Sequence, residues 1–316
     1  MSILGIDIGG TKTIVGVADV TGRILAKKRI ETPNTLGPDA NIAAIKRAAR
    51  EAIDEAGVPV DMIGIGCGGP LDRKSGTLHQ IPNLPKWEGL CLTRIFGDEF
   101  GAPAYLDNDA TVAAIGEMIF GAGKGCRDFV YFTVSTGIGG GIVADGRVYR
   151  GRGDNAGEFG HQKLVANGPP CGCGDRGCLE ALASGTAIAR AAREGLASKP
   201  ETVLWDWMSD ASEVTAELVA RAAASGDPFT SAVWTEAMGY LGQGVASIVN
   251  ILNPRLVILG GGVTKAGDLL FEPVRHIVKT RAMKSLADDV EIGPAGNGDY
   301  VGLMGAIALA IEQTSG

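Results

Sequence analysis

Three cysteines and a histidine are the residues of this sequence whose types and spacing point most clearly to chemistry. Cys171, Cys173 and Cys178 lie within eight positions, and His161 precedes the first of them by ten residues. One imidazole and three thiolates form the soft-ligand set of structural zinc sites, and four protein ligands leave no open position for catalysis. Glycines between the cysteines allow the tight turns that such a cluster requires. We therefore predict a structural zinc site, with a disulfide cluster or ordinary thiols as alternatives.

Two acids flank the predicted metal ligands. Glu158 precedes His161 by three residues, and Glu180 follows Cys178 by two. Carboxylates accept hydrogen bonds and an imidazole can donate or accept one, so these groups together suit a molecule with several hydroxyls. We interpret Glu158, His161 and Glu180 as a polyol-binding group. The alternative for the two glutamates is that they are solvated surface acids.

Three apolar runs end in glycine-rich loops, at 9–12, 135–141 and 260–262. In the first loop, backbone N–H groups of glycine can face an anion, and a hydroxyl and an amine follow as further donors. Neither the P-loop spacing nor a helix directly after the glycines is present, which argues against a P-loop or a Rossmann fingerprint. We predict that two loops hold a polyphosphate, that Asp7 holds magnesium through water, and that the third loop admits an adenosine. Plain turns are the alternative. The residues assigned to these loops are Gly9, Gly10, Thr11, Lys12, Thr136, Gly137, Gly261 and Gly262.

Asp107, Asn108 and Asp109 follow an apolar run and precede a predicted helix, 110–120. Asp and Asn are favoured N-cap residues, so capping is the alternative interpretation, but it explains one of the three better than all of them. A carboxylate opposite phosphate loops can accept the proton of a hydroxyl that attacks a γ-phosphate. The sequence therefore predicts phosphoryl transfer to a sugar or an alcohol.

Composition limits the classes of partner. The chain has 316 residues and a net charge of −7, and it contains no polybasic run. A negative net charge argues against nucleic acid or an anionic membrane as a partner, because both bind to positively charged protein surfaces. Apolar runs fall short of the ~20 residues of a membrane-spanning helix. The sequence opens on a strand without the regions of a signal peptide, so we expect a cytoplasmic protein.

Secondary-structure patterns repeat along the chain. Two copies of a strand–strand–strand–helix–strand plan predict two similar α/β domains around one cleft. The smaller would span 1–117 together with 300–316, and the larger 118–299. The predicted strands are 2–8, 13–19, 23–30, 61–66, 128–134, 142–149 and 255–259, and the predicted helices are 39–57, 110–120, 184–197, 215–225, 231–252 and 301–313.

Taken in order, these motifs resemble the ROK family (repressor, open reading frame, kinase), a sugar kinase branch of the actin-like, ribonuclease H-like ATPase fold. The resemblance covers nearly the whole chain and is weak from about 196 to 235. It is strongest at 7–12, 68–70, 82–83, 108–110, 136–141, 157–161 and 171–180. It implies duplicated α/β domains with an inter-domain cleft.

The resemblance also implies roles for single residues. Asp109 would be the catalytic base. The sugar would be bound by Gly69, Asn83, Asn108, Glu158, His161 and Glu180. The phosphates of ATP would be held by Asp7, Gly9, Gly10, Thr11, Lys12, Thr136 and Gly137. Zinc would be bound by His161, Cys171, Cys173 and Cys178. The cofactors would be ATP, Mg²⁺ and structural Zn²⁺, and the chain would form a homodimer or higher homo-oligomer.

The implied reaction is phosphorylation of a hexose, with the 6-hydroxyl of glucose as the first choice. Mannose, fructose, N-acetylmannosamine and N-acetylglucosamine are alternative substrates, and a non-catalytic sugar sensor or a zinc-stabilised interaction module are alternative functions. Ser135 and Thr111 depart from the residues common in the family, which loosens a subgroup assignment. The DNA-binding repressors of the family carry a winged helix-turn-helix before the kinase-like part, and the position of Asp7 argues against one here.

Overall fold

Two mixed α/β units make up the chain, and the computed structural model describes residues 1–79, 81, 84–198 and 201–314. The first unit comprises Met1–Arg127, Gly141–Gly157 and Ala295–Gly316, and the second comprises Asp128–Gly140 and Glu158–Pro294. The domain boundaries given by the sequence analysis stay a prediction.

Most of the predicted elements are confirmed within a few residues. The strands are β1 (Ser2–Ile8), β2 (Lys12–Asp19), β3 (Ile24–Glu31), β4 (Met62–Cys67), β5 (Leu71–Asp72), β6 (Thr77–Leu78), β7 (Ala104–Asn108), β8 (Phe129–Val134), β9 (Ile138–Ala144), β10 (Arg147–Val148), β11 (Leu256–Gly260) and β12 (Glu291–Pro294). The helices are α1 (Gly37–Ala56), α2 (Leu92–Phe100), α3 (Asp109–Ile119), α4 (Leu179–Ala183), α5 (Gly185–Leu196), α6 (Leu204–Trp207), α7 (Ala216–Ala224), α8 (Pro228–Leu252), α9 (Asp268–Arg281), α10 (Lys284–Ala287) and α11 (Val301–Glu312). Among the residues that the structure describes, no helix is long and apolar enough to span a membrane.

The first sheet has the strand order β3-β2-β1-β4-β7. The predicted antiparallel arrangement of the first three strands is confirmed, since β2 pairs antiparallel with both β1 and β3. On the other side of β1, the strands β4 and β7 pair in parallel, with Asp7 beside Gly66 and Cys67 beside Asn108. The carboxyl ends of β1, β4 and β7 therefore meet at one edge, which is where α/β sheets carry their ligand sites.

Helix α11 packs on this sheet at glycine positions. A Cβ atom on Gly64 of β4 would lie 1.7 Å from the carbonyl oxygen of Ala306, and one on Gly5 of β1 would lie 2.8 Å from the Ile307 side chain. The helix is buried from Leu303 to Ala310. Because glycine has no Cβ, the helix can approach the sheet closely enough to cover its strands without a gap.

The second sheet has the order β10-β9-β8-β11-β12, in which β11 pairs in parallel with β8 and with β12. The predicted Asp-Gly turn is confirmed: Asp145 and Gly146 join β9 to β10 with positive φ angles of 52° and 74°. Two consecutive residues with positive φ are typical of the two-residue hairpin turns that match strand twist.

The glycine loop predicted at 135–141 is shorter in the structure, because β9 begins at Ile138 and only Ser135–Gly137 remains as loop. The glycines of β9 serve close packing instead. A Cβ atom on Gly141 would lie 2.5 Å from the Cβ of Ala114 and 3.0 Å from the carbonyl oxygen of Ala110. Sequence alone does not distinguish a glycine needed for a turn from one needed for a close approach.

We expect Gly64→Ala to reduce the free energy of unfolding by more than about 3 kcal/mol, because the new methyl group would meet backbone that cannot rotate away. Gly293→Ala in β12 is the matched control, since nothing lies within 4 Å of a Cβ at that position. Urea unfolding followed by circular dichroism gives both values. Equal unfolding midpoints for the two variants would contradict the close packing of α11 on β4.

Candidate active site

Asp7 is the penultimate residue of β1, at the carboxyl edge of the first sheet, and lies just before the turn that leads into β2. The turn is closed by a 3.0 Å hydrogen bond from the Gly9 N–H to the carbonyl oxygen of Lys12. Burial and the nearby negative charge of Asp109 raise the pKa of Asp7 to about 7, and the Lys12 ammonium opposes the shift. Gly302, in the first turn of α11, lies against this carboxylate, since a Cβ there would sit 2.2 Å from Asp7 Oδ2. Asp7 is therefore a confined carboxylate at the end of a strand.

The three polar residues at the end of β7 have three different environments. Asn108 is the N-cap of α3, and its Oδ1 accepts hydrogen bonds from the backbone N–H groups of Ala110 and Thr111. Asp107 is fully buried. Asp109 is solvent-exposed, and its Oδ1 accepts the Ala110 N–H at 2.8 Å. The capping interpretation is thus correct for Asn108, and Asp109 keeps a carboxylate that a substrate can reach.

Asp109 is exposed as a residue, although protein groups surround its carboxylate densely. Desolvation by the surrounding protein raises the pKa of Asp109 above its ordinary value, and the Ala110 N–H opposes the shift. A carboxylate with a raised pKa is a better proton acceptor in its ionised form.

Gly69 lies beside the cap residue of α3, because a Cβ on Gly69 would be 3.0 Å from Asn108 Nδ2. Two of the predicted sugar ligands are therefore adjacent, whereas Asn83 lies outside the described residues.

Asp107 belongs to an ion-pair network that the sequence analysis does not predict. Arg150 donates from Nε to Asp107 Oδ2 at 2.8 Å and from Nη2 to Glu312 Oε2 at 2.6 Å. Arg73 Nε lies 3.4 Å from the same Asp107 oxygen. Burial raises the pKa of Asp107, and Arg150 is the main group that opposes the shift. Since 43 residues separate Asp107 from Arg150, local sequence carries no signal for their pairing.

In the second unit, the structure brings together the four predicted metal ligands. The ligand atoms of His161, Cys171, Cys173 and Cys178 all lie within 4.8 Å of one another. Cys171 Sγ is 3.6 Å from His161 Nδ1, and Cys173 Sγ is 3.6 Å from Cys178 Sγ. A tetrahedral zinc ion with Zn–S bonds of about 2.3 Å separates its sulfur ligands by about 3.8 Å. The donor set and its spacing therefore fit zinc.

The two acids flanking this cluster lie close to it. Glu158 Oε2 is 3.8 Å from Nε2 of His161, the ring nitrogen on the opposite side from the thiol cluster. Glu180 Oε1 is 3.8 Å from Cys171 Sγ, and its Oε2 accepts the backbone N–H of Ile138 at 2.9 Å. The structure thus gathers the three predicted polyol ligands around the cysteine segment, and Glu180 also contacts the Ser135–Gly137 loop.

A cavity of about 760 Å³ lies beside that loop, in the second unit. Two of the residues predicted to bind nucleotide, Thr136 and Gly262, line it, together with three cations that the sequence analysis does not single out: Arg193, Arg221 and Lys265. The size is in the range of small-molecule sites. Gly261 has a φ of 94°, and a Cβ there would lie 2.5 Å from the Val134 carbonyl oxygen, so it allows the two loops to approach. The cavity can accept an anionic ligand of nucleotide size.

A family model described as the ROK family matches residues 3–313. The chain belongs to the ROK family. The resemblance drawn from its motifs is therefore confirmed.

Relatives and solved structures agree with this assignment over the full chain. A protein named glucokinase from Thermotoga maritima is 35% identical over 317 residues, covering 100% of this chain and 99% of the relative. The structure of a ROK family glucokinase from Streptomyces griseus, in complex with glucose and AMPPNP, is 34% identical with a TM-score of 0.88, covering 99% of this chain and 100% of the other. A ROK hexokinase from Thermus thermophilus is 37% identical with a TM-score of 0.80, covering 100% of both chains. The predicted actin-like fold class is confirmed by these neighbours.

We expect Arg150→Met to lower the free energy of unfolding by about 3 kcal/mol, because it leaves the buried Asp107 carboxylate without its closest cation. The Asp107 side chain is 1% exposed and the Arg150 side chain 15%. Adding Asp107→Asn should recover part of the loss, because the uncompensated charge is removed.

The control for this prediction is Arg127→Met. Arg127 belongs to the same unit, its side chain is 70% exposed, and its Nη2 lies 3.8 Å from Asp145 Oδ1. Loss of an exposed pair is expected to cost less than about 1 kcal/mol. If both arginine variants unfold at the same urea concentration, the buried pair does not stabilise the segment before Asp109.

Proposed function

We propose that the chain is an ATP-dependent hexose kinase that phosphorylates glucose on its 6-hydroxyl. The observation that carries this proposal is the exposed acidic residue Asp109 at the sheet edge of a ROK protein, next to a buried Asp107 and a capping Asn108. Full-length similarity to proteins named glucokinase supports the substrate. So does the Streptomyces griseus neighbour, whose structure contains glucose and AMPPNP.

In the proposed reaction, Asp109 accepts the proton of the 6-hydroxyl of glucose. The oxygen of that hydroxyl forms the new bond to the γ-phosphorus. The bond from that phosphorus to the bridging oxygen breaks, and ADP leaves with the electron pair. The raised pKa of Asp109 suits this role, because a base is most effective when its pKa approaches the working pH while it stays ionised. Positioning and charge stabilisation supply the rest of the acceleration.

The phosphates would be held by the turn after Asp7 and by Thr136 and Gly137. A magnesium ion would fit beside Asp7, because the carboxylates of Asp7 and Asp109 lie close together and both carry negative charge when ionised. Such an ion would supply positive charge to the β- and γ-phosphates. The adenosine would occupy the cavity lined by Gly262.

The sugar hydroxyls would be bound by short polar groups. We assign this role to Gly69, Asn83, Asn108, Glu158, His161 and Glu180. Zinc would be held by His161 Nδ1 and the three thiols, which leaves Nε2 of the same ring for a hydroxyl or for Glu158. A zinc ion here would be structural, and its contribution is to fix the ring orientation.

Three further assignments belong to this proposal. The net charge of −7 supports the absence of nucleic acid and membrane partners. Free cysteines and a cluster of zinc-ligand type support a cytoplasmic location. Membership of the ROK family supports a homodimer or higher homo-oligomer.

Asp109→Asn should reduce kcat roughly 10²–10⁴-fold, because the amide cannot accept the hydroxyl proton. The measurement is ADP release from magnesium ATP with glucose as the acceptor. Asp98→Asn, an exposed acid of α2 in the same unit, is the matched control and should keep the wild-type rate. A substantial kcat in the Asp109 variant would refute its role as the base.

Cys173→Ser should lose bound zinc and weaken glucose binding, because three ligands hold the ion less tightly than four. Metal content by mass spectrometry and glucose affinity by calorimetry are the two readouts. Cys91→Ser, which changes a half-buried thiol of the first unit, should retain both. Unchanged zinc content in the Cys173 variant would rule out the proposed cluster as the metal site.

A further inference from the structure

We propose that Glu180 is a positioning residue for the phosphate loop Ser135–Gly137, so that one carboxylate serves the sugar site and the nucleotide site together. This inference rests on the proposed function. It assigns to Glu180 a second role, in nucleotide binding, in addition to binding the sugar.

The first observation is the hydrogen bond between this carboxylate and the end of the loop. Glu180 Oε2 accepts the N–H of Ile138, the residue directly after the loop, at 2.9 Å. Hydrogen bonds to an ionised acceptor are stronger than neutral ones. A carboxylate has about four lone-pair sites, so Oε1 stays available for a hydroxyl while Oε2 holds the backbone.

Gly137 provides the second observation. A Cβ atom at this position would lie 2.5 Å from Glu180 Oε2. The carboxylate therefore packs directly against the loop backbone, and any larger residue at 137 would displace it. Because the atom displaced is the far end of a flexible side chain, the rest of the unit can keep its fold when this contact is broken.

The other end of the loop is held by the same segment of chain. The Gly185 N–H donates to the Ser135 carbonyl oxygen at 2.7 Å, and the Ser135 N–H donates to the Gly137 carbonyl oxygen at 2.9 Å. Helix α4, which begins directly after Cys178, spans the short distance in sequence between Glu180 and Gly185. Thr136 lines the nucleotide cavity between these two contacts. The segment that follows the cysteine cluster thus fixes both ends of the phosphate loop.

The test is the affinity for magnesium AMPPNP in the absence of sugar, measured by calorimetry on the full chain. Glu180→Ala should weaken binding about tenfold, within the usual range for coupled sites. Glu180→Gln should leave nucleotide affinity near the wild-type value, because its amide oxygen can still accept the Ile138 N–H, while glucose affinity falls with the lost charge. Glu194→Ala, at a side chain 70% exposed, is the control.

Gly137→Ala tests the same contact from the loop side and should also weaken nucleotide binding. Its effect should vanish when it is added to Glu180→Ala, because the displaced carboxylate is then already gone. Gly239→Ala, with nothing within 4 Å of the new Cβ, is its control. Additive losses in the double variant would overturn the proposed contact.

Unchanged AMPPNP affinity in Glu180→Ala would show that Glu180 binds sugar alone and would overturn the inference. That result leaves the kinase intact, because the wild-type chain would still bind nucleotide and phosphorylate glucose. A wild-type chain that does neither would instead refute the proposed function.

Discussion

The parallel pairing of β1, β4 and β7 is the constraint on which the candidate site residues of the first unit depend. The register places Asp7 beside Gly66 and Cys67 beside Asn108, so both acidic strand ends come to one edge of the sheet. Helix α11 packs closely on β4, because Gly64 has no side chain to separate them. The result is a pair of carboxylates, Asp7 and Asp109, close enough that one raises the pKa of the other.

The three adjacent residues at the end of β7 have three different roles. Asp107 is buried and ion-paired with Arg150, Asn108 caps α3, and Asp109 is exposed. In the second unit, one oxygen of Glu180 accepts the Ile138 N–H, and the other lies near the cysteine cluster. Both units therefore hold their reactive groups by hydrogen bonds that fix side-chain orientation before a ligand arrives, which is the usual requirement for positioning in phosphoryl transfer.

Sequence reasoning predicted the elements whose ends carry local signals. The strand Ser2–Ile8 stops at glycine, and the cysteine cluster assembles as its ligand types indicated. Helix α8 begins three residues before its predicted start, at Pro228, with Asp227 as its N-cap. Helix α9 offers no such signal, because Gly267 provides no side-chain cap and Pro273 lies inside the helix. The partners of Asp107 and Glu180 are distant in sequence, and such contacts follow only from the tertiary fold.

The measurement that tests the central claim most directly is phosphorus NMR of the purified chain with magnesium ATP and glucose. The account predicts equal amounts of ADP and a phosphate monoester on the 6-hydroxyl, formed with little free phosphate. Release of inorganic phosphate without a sugar phosphate would show that the chain activates water rather than the sugar. Unchanged ATP would show that Asp109 and the phosphate loops do not form a kinase site for this sugar.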